Sequence, residues 1–169
     1  MNYIIREVKN DSEEIEKVKE FLYNQIMKEY GIGPTPKFHY DIDGIVDYYI
    51  LPENSDFFIA LDGDKIIGTA AVRAYDVDYE FFKDTYSKED TASIWRLMVD
   101  ENYRRHGIAR RLVNTIEEFA KGAGYEKIYL NTHRYLESGI PFWTSVGYCI
   151  TIEEDDYDET VHMVKYLCE

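Results

Sequence analysis

The stretch Leu97-Met98-Val99-Asp100-Glu101-Asn102-Tyr103-Arg104-Arg105-His106-Gly107-Ile108-Ala109-Arg110-Arg111-Leu112 decides the fold. It begins as the end of a run, Ser93-Ile94-Trp95-Arg96-Leu97-Met98-Val99, that is mostly apolar, as expected of a buried strand. A short basic loop follows. From about Gly107 the chain reads as a helix. Ile108, Leu112, Val113, Ile116, Phe119 and Ala120 recur at helical spacing, while Arg110, Arg111, Glu117, Glu118 and Lys121 occupy the other faces. Gly122 and Gly124 stop the helix, and Lys127-Ile128-Tyr129-Leu130-Asn131 is a strand again. Strand, loop, helix and strand make a βαβ unit, so the two strands are parallel and central.

Working outward, Tyr3–Val8 reads as the first strand. A helix follows from Asp11, where Asp11 and Glu14 have capping-box spacing and Ile15, Val18, Phe21, Leu22 and Ile26 mark one face. Gly31 ends it, Gly33-Pro34-Thr35-Pro36 is a loop, and a weaker helix is expected over Asp41–Tyr49. Phe57–Leu61 and Lys65–Tyr75 form a hairpin turning at Asp62-Gly63-Asp64. Asp76–Ser87 reads as irregular. After the βαβ unit, a short helix runs from Ser138 to Ser145 with Pro141 in its first turn. Gly147–Ile152 and Val161–Leu167 are two closing strands. The order predicts one α/β domain over residues 1–169, a mixed sheet with helices on both faces.

Composition narrows the function. The chain has 169 residues, with 19 Lys and Arg against 33 Asp and Glu, a net charge of −14. Such a surface repels phosphate backbones, which disfavours nucleic acid, and attracts cations such as amines. Two cysteines, Cys149 and Cys168, build no disulfide framework, which favours a reducing interior. Met1–Glu7 has neither the basic region nor the apolar run of a signal peptide, and no stretch has the length of a membrane helix. The expected setting is therefore cytoplasmic, with no membrane partner. The histidines His39, His106, His133 and His162 show no metal-ligand spacing, so no metal is expected.

The chemistry lies in the basic loop. The first turn of a helix leaves backbone N–H groups without acceptors, and the helix dipole adds positive potential there. Gly107 and Ala109 keep side chains small, and Arg104 and Arg105 bring fixed charge into an otherwise acidic protein. These residues describe an anion site suited to a phosphate or pyrophosphate. The chain contains neither G-x-x-x-x-G-K-[ST] nor a G-x-G-x-x-G after a strand, which excludes the two commonest phosphate loops.

Arg104-x-x-Gly107-x-Ala109, after a strand ending Leu-Met-Val, resembles the [RQ]-x-x-G-x-[GA] signature of the GNAT superfamily of acyl-CoA-dependent N-acetyltransferases. Phe142-Trp143-Thr144-Ser145-Val146-Gly147-Tyr148 resembles the family's later F-Y-x-x-x-G-F block. The resemblance implies six to seven strands, mostly antiparallel, with a central splayed parallel pair. It also implies acetyl-CoA as cosubstrate. The pyrophosphate of coenzyme A would rest on Arg104, Arg105, His106, Gly107, Ile108 and Ala109, and the pantetheine arm along Leu97, Met98 and Val99. A main-chain N–H at a bulge of that strand, from Met98 or Val99, would polarise the thioester carbonyl. The amine would attack directly, without a covalent enzyme intermediate. A homodimer is the assembly that family members often adopt.

Two positions depart from the family. Trp143 stands where a tyrosine general acid is common, and an indole is a very poor acid. Tyr148, Tyr135 and Tyr129 are the candidate substitutes, with water as a further proton source. Leu136 stands where an asparagine commonly contacts the cofactor, leaving Asn131 or Ser138 for that contact. For a general base, Asp76, Asp78, Glu80 and Asp90 precede the cofactor strand, and none is singled out. The run Glu153-Glu154-Asp155-Asp156-Tyr157-Asp158-Glu159 reads either as a solvated loop or as a cation-attracting rim, and the acceptor as a small cationic amine or a lysine or N-terminal amine. The rival function is a module that holds acyl-CoA without transferring it.

Overall fold

The computed structural model describes residues 1–168 and divides into two compact units. The first contains Met1–Arg73 and Trp95–Ile116. The second contains Ala74–Ile94 and the chain from Glu117 onward.

In the first unit, β1 (Ile4–Glu7) leads to α1 (Ser12–Tyr30). Asp11 caps α1 as its sequence promised, accepting the Glu14 N–H at 3.0 Å. Gly31 closes the helix at φ 68°, a left-handed value that glycine adopts at low cost. The face carrying Ile15, Val18, Leu22 and Ile26 is buried in a cluster with Phe57, Ile59, Leu61 and Ala71. These come from β2 (Asp56–Asp62) and β3 (Lys65–Ala74), the expected hairpin. Its register slips between Ala60 and Leu61, so a bulge separates the Ala60–Gly68 pair from Leu61–Ile66.

The segment between α1 and β2 differs from its expected form. α2 spans Pro36–Asp43, beginning five residues before the helix the sequence suggested. Pro36 sits in its first turn, where a missing N–H costs nothing. The helix kinks at His39, whose Nδ1 accepts the Thr35 N–H at 2.9 Å, and ends before Gly44. A separate π-helical turn, Val46–Ile50, carries Tyr48 and Tyr49.

In the second unit, Glu80–Phe82 forms a single 3-10 turn in the segment expected to be irregular. It precedes β4 (Thr91–Val99), which runs into the first unit at Trp95. α3 (Ile108–Gly122) buries Ile108, Leu112, Val113, Ile116 and Ala120, the face its periodicity marked. β5 (Lys127–His133), α4 (Gly139–Ser145), β6 (Cys149–Glu153) and β7 (Thr160–Tyr166) complete the chain. β4 and β5 pair in parallel from Thr91–Lys127 to Ser93–Tyr129, while β5–β7 and β6–β7 are antiparallel. The seven strands order as β1-β2-β3-β4-β5-β7-β6, the mixed sheet the βαβ reading required. Tyr75, Phe82, Tyr86, Tyr129 and Val164 form the second unit's own core, which gives several of the sixteen tyrosines a packing role.

Gly68 fixes how closely β3 approaches its neighbours. A Cβ there would lie 3.1 Å from Leu112 Cδ1, 3.2 Å from the Met98 carbonyl oxygen and 3.3 Å from Ile108 Cγ2. One of the three contacts is backbone and cannot turn aside. Gly68→Ala is expected to lose about 1–3 kcal/mol by urea unfolding, the usual cost of overpacking. An unchanged midpoint would show that the approach is looser than these distances indicate.

Candidate functional site

The basic loop folds as a cradle. Asp100 opens it: its N–H donates to the Ile67 carbonyl and its carboxylate accepts the Asn102 N–H, both at 2.9 Å. A 3-10 turn, Glu101–Tyr103, follows. Arg105 and Gly107 both take left-handed conformations, φ 65° and 74°. His106 lies between them, with Nδ1 at 3.1 Å from the Tyr103 carbonyl and 2.9 Å from the Arg104 carbonyl. Two carbonyl partners require Nδ1 to carry hydrogen. The imidazole thereby holds the turn from within, and the histidine serves the loop's shape.

α3 begins directly after Gly107. The first N–H answered within the helix is that of Arg111, which donates to the Gly107 carbonyl at 3.0 Å. The amides of Ile108 and Ala109 precede it, in the first turn, where a helix supplies no acceptor of its own. Arg104, Arg105, His106 and Gly107 are exposed, and nothing lies within 4 Å of a Cβ built on Gly107. Small side chains, left-handed turns and a helix start together leave an open set of amides with positive potential, the physical form of an anion site.

The strand leading into the loop is also irregular. From Trp95 to Val99, β4 is half-buried, where Thr91–Ile94 are fully buried. Arg96 has φ 52°, and its carbonyl accepts the Thr69 hydroxyl at 2.7 Å. The left-handed residue is thus Arg96, one residue before Leu97, whereas the sequence reading placed the bulge donor at Met98 or Val99.

A left-handed non-glycine residue costs about 1–3 kcal/mol and persists only where its surroundings hold it. Asp41 of α2 does so. Arg96 Nε donates to Asp41 Oδ2 at 2.9 Å, and Arg96 Nη2 donates to Asp41 Oδ1 at 2.6 Å and to the Phe38 carbonyl at 2.8 Å. The fully buried Tyr49 hydroxyl donates to Asp41 Oδ2 at 2.7 Å. Burial pushes the Tyr49 phenol pKa up, and the Asp41 charge adds to that, so it remains a donor. Next to this network the Arg73 guanidinium lies 4.2 Å from the Trp95 ring centroid, with Tyr48, Tyr49 and Tyr40 at 5.1, 5.4 and 5.8 Å. Sequence reasoning missed both arginines. Asp41 and Arg96 lie 55 positions apart, a separation no local pattern spans.

The second unit holds the remaining candidates. Asn131 is exposed on β5 and donates to the Tyr129 hydroxyl at 3.3 Å. Ser138 is exposed just before α4 and makes no capping hydrogen bond. Trp143 is buried and meets Tyr148 edge to face at 5.1 Å. Tyr148 is sealed at 1% exposure, and burial pushes its phenol strongly up, with the Glu117 charge adding to it. Tyr135 is 46% exposed and stacks on His133 at 5.1 Å.

Asp90 is committed elsewhere. It accepts from the Thr91 hydroxyl at 2.6 Å and pairs with Lys127 Nζ at 3.2 Å. These contacts, the Thr91 bond foremost, hold its pKa to about 2, so it is a weak proton acceptor at neutral pH.

The acidic run forms an exposed loop between β6 and β7, and two of its carboxylates have fixed partners. Asp156 accepts from the Thr160 N–H and hydroxyl, both at 2.7 Å, which holds its pKa down. Glu154 Oε2 lies 2.7 Å from His162 Nε2. Tyr157 is fully exposed.

The sequence pattern of the acetyltransferase (GNAT) family matches residues 19–148. The chain belongs to this family. Human N-acetyltransferase 8 is 32% identical over 108 residues, 64% of this chain and 44% of that protein, so the chain spans less than half of that relative. The GNAT-family acetyltransferase of Staphylococcus aureus Mu50 superposes with a TM-score of 0.78 at 20% identity, covering 99% of this chain and 100% of that one. A putative acetyltransferase of Salmonella typhimurium, solved with acetyl-CoA, gives 0.68 at 13% identity, covering 100% and 96%. Among the described residues no helix is long and apolar enough to cross a membrane.

The Asp41–Arg96 pair makes a direct prediction. Burial alone would raise the Asp41 pKa, but the Arg96 hydrogen bonds and charge outweigh it and hold the carboxyl below its usual value. A depressed folded-state pKa stabilises the protein above the unfolded value of about 4, and that contribution is lost as pH falls through the folded value. Asp41→Ala strands a buried guanidinium and is expected to cost about 3–5 kcal/mol at pH 7 in denaturant unfolding. The gap to wild type should narrow in acid. Equal stability at pH 7 would remove the pair as the clamp on Arg96.

Proposed function

We propose that the protein transfers an acetyl group from acetyl-CoA to a primary amine, which attacks the thioester directly. The observation that carries this reading is the exposed loop Arg104–Gly107, with left-handed turns at Arg105 and Gly107, leading into the first turn of α3. In a protein of net charge −14, an open, positively biased helix start with two flanking arginines suits an anion as bulky as the pyrophosphate of coenzyme A.

In this reading the amides of Gly107, Ile108 and Ala109 hold the pyrophosphate oxygens, and Arg104 and Arg105 add long-range attraction. The half-buried backbone of Leu97, Met98 and Val99 lies along the pantetheine arm. The irregularity at Arg96 frees a nearby N–H to stabilise negative charge on the thioester oxygen as it develops. Asn131 and Ser138, both exposed, keep their place as cofactor contacts, and Trp143 contributes packing. For the leaving thiolate's proton, Tyr135 is a better donor than the sealed Tyr148. Asp90 drops out as the base. The acceptor class is a cationic amine, small or peptidic, drawn by the acidic surface.

Gly107→Glu places a carboxylate in the cradle at a left-handed position. Calorimetry with acetyl-CoA is expected to show binding to wild type and at least a hundredfold weaker binding to the variant. Thiol release with spermidine and with a lysine-containing peptide then separates transfer from mere holding. Equal affinity of the two proteins contradicts the site. Tight binding with no thiol release from any amine favours the non-catalytic module, the reading that Trp143 in the tyrosine position supports.

A further inference from the structure

The peptide that joins Arg96 to Leu97 is held at its carbonyl end. Thr69 of β3 is fully buried, and its hydroxyl donates to the Arg96 carbonyl at 2.7 Å. Among the described residues no peptide bond is cis. In a trans peptide the carbonyl and the following N–H lie in one plane and point in opposite directions. The bond that fixes the Arg96 carbonyl therefore also fixes the Leu97 N–H, which is aimed away from Thr69. The parallel ladder of β4 runs from Thr91 to Ser93, and Leu97 lies beyond its end.

The donor of that bond is itself fixed. Two residues before Thr69, the Ile67 carbonyl accepts the Asp100 N–H at 2.9 Å. Between them Gly68 brings β3 so close that a Cβ would lie 3.2 Å from the Met98 carbonyl oxygen. Thr69 is thus tied to the strand it acts on, and its hydroxyl has little freedom to follow a moving carbonyl.

The same residue is held at its side chain, from another element. Arg96 donates to both Asp41 oxygens, at 2.9 and 2.6 Å, and to the Phe38 carbonyl at 2.8 Å. Asp41 is fully buried and also accepts from Tyr49. The backbone of Arg96 is therefore tied to β3 and its side chain to α2, on either side of a Cα whose φ is 52°. A left-handed arginine persists only where its surroundings over-determine it. Releasing either tie lets the residue relax towards ordinary strand geometry, which turns the Arg96 carbonyl and the Leu97 N–H together.

We propose that Thr69 and Asp41 are positioning residues that aim the Leu97 N–H at the thioester carbonyl of acetyl-CoA. The proposal rests on the acyl-transfer reading above and names both the donor and the groups that hold it. The donor is Leu97, one or two residues before the Met98 or Val99 that the sequence suggested. As the amine adds to the carbonyl carbon, the π pair moves onto oxygen, and the Leu97 N–H meets the charge that develops there. A hydrogen bond weakens steeply as its angle closes, so a peptide plane free to rock is a poor donor. Thr69 and Asp41 act only through that plane and make no contact with substrate.

The test binds acetyl-CoA carrying 13C at the thioester carbonyl, without amine, and reads the carbonyl stretch by isotope-edited infrared spectroscopy. A hydrogen bond to that oxygen lowers the stretch. Thr69→Val, which exchanges the hydroxyl for a methyl at nearly constant volume, is expected to raise the bound frequency above that of wild type, and Asp41→Asn to raise it too. With whichever of spermidine and the lysine-containing peptide is turned over faster, Thr69→Val should lower kcat about 30-fold, a part of the ~10²–10³-fold that one oxyanion donor contributes. The KM for acetyl-CoA should stay within twofold. Thr69→Ser, which keeps the hydroxyl, should restore frequency and rate whatever its urea midpoint, as a merely structural role would not. If the Val and Asn variants fail to fold, wild type decides: the Leu97 amide resonance should move with acetyl-CoA and stay with coenzyme A, which lacks the carbonyl. A Thr69→Val protein that keeps the wild-type frequency and a kcat within twofold overturns the positioning role alone, as does a Leu97 amide that answers both ligands equally. A wild type that does not bind acetyl-CoA overturns the acyl-transfer reading, and the positioning role with it.

Discussion

The start of α3 presents backbone N–H groups that the helix itself cannot satisfy, and the protein leaves them open. Everything around that point serves to keep them so. Left-handed turns at Arg105 and Gly107 aim the chain, the His106 ring closes the loop on its own carbonyls, and nothing lies within 4 Å of a Cβ placed on Gly107. Elsewhere the protein is acidic, so this is where its backbone and its arginines together favour an anion. Placing the donors on backbone fixes them without side-chain entropy.

The approach to the cradle is held with equal care. Gly68 lets β3 run close beneath the Met98 carbonyl and the first turns of α3. Arg96 bends β4 out of regular geometry, and Asp41, Tyr49 and the Phe38 carbonyl restrain its side chain. The strain at one residue is thus offset by a largely buried ion pair, hydrogen-bonded through Arg96 Nε and Nη2. A broken pair would leave a charge with nowhere to go, which gives the bend a definite shape.

Much of this was legible because it is local. The periodicity from Ile108 to Ala120 fixed the buried face of α3, Asp11 and Glu14 fixed the start of α1, and the βαβ order fixed the one parallel pair. The cradle itself follows from Arg104, Gly107 and Ala109 standing where a strand gives way to a helix. What escaped is non-local. Asp41 meets Arg96 across 55 positions, and Tyr129 meets His162 across 33. Neither distance leaves a periodic trace. The second helix was placed late because aromatic residues continue past Gly44, while Pro36 sets the start and Gly44 the stop. The acidic run is an exposed loop, as its composition indicates, but composition does not reveal that Glu154 and Asp156 have partners on β7.

The most direct measurement of the central claim is backbone amide NMR of the protein titrated with coenzyme A. The account predicts that the amide resonances of Gly107, Ile108 and Ala109 shift most and that their hydrogen exchange slows as the ligand saturates. Saturation that leaves those three amides unmoved while resonances elsewhere shift would contradict it.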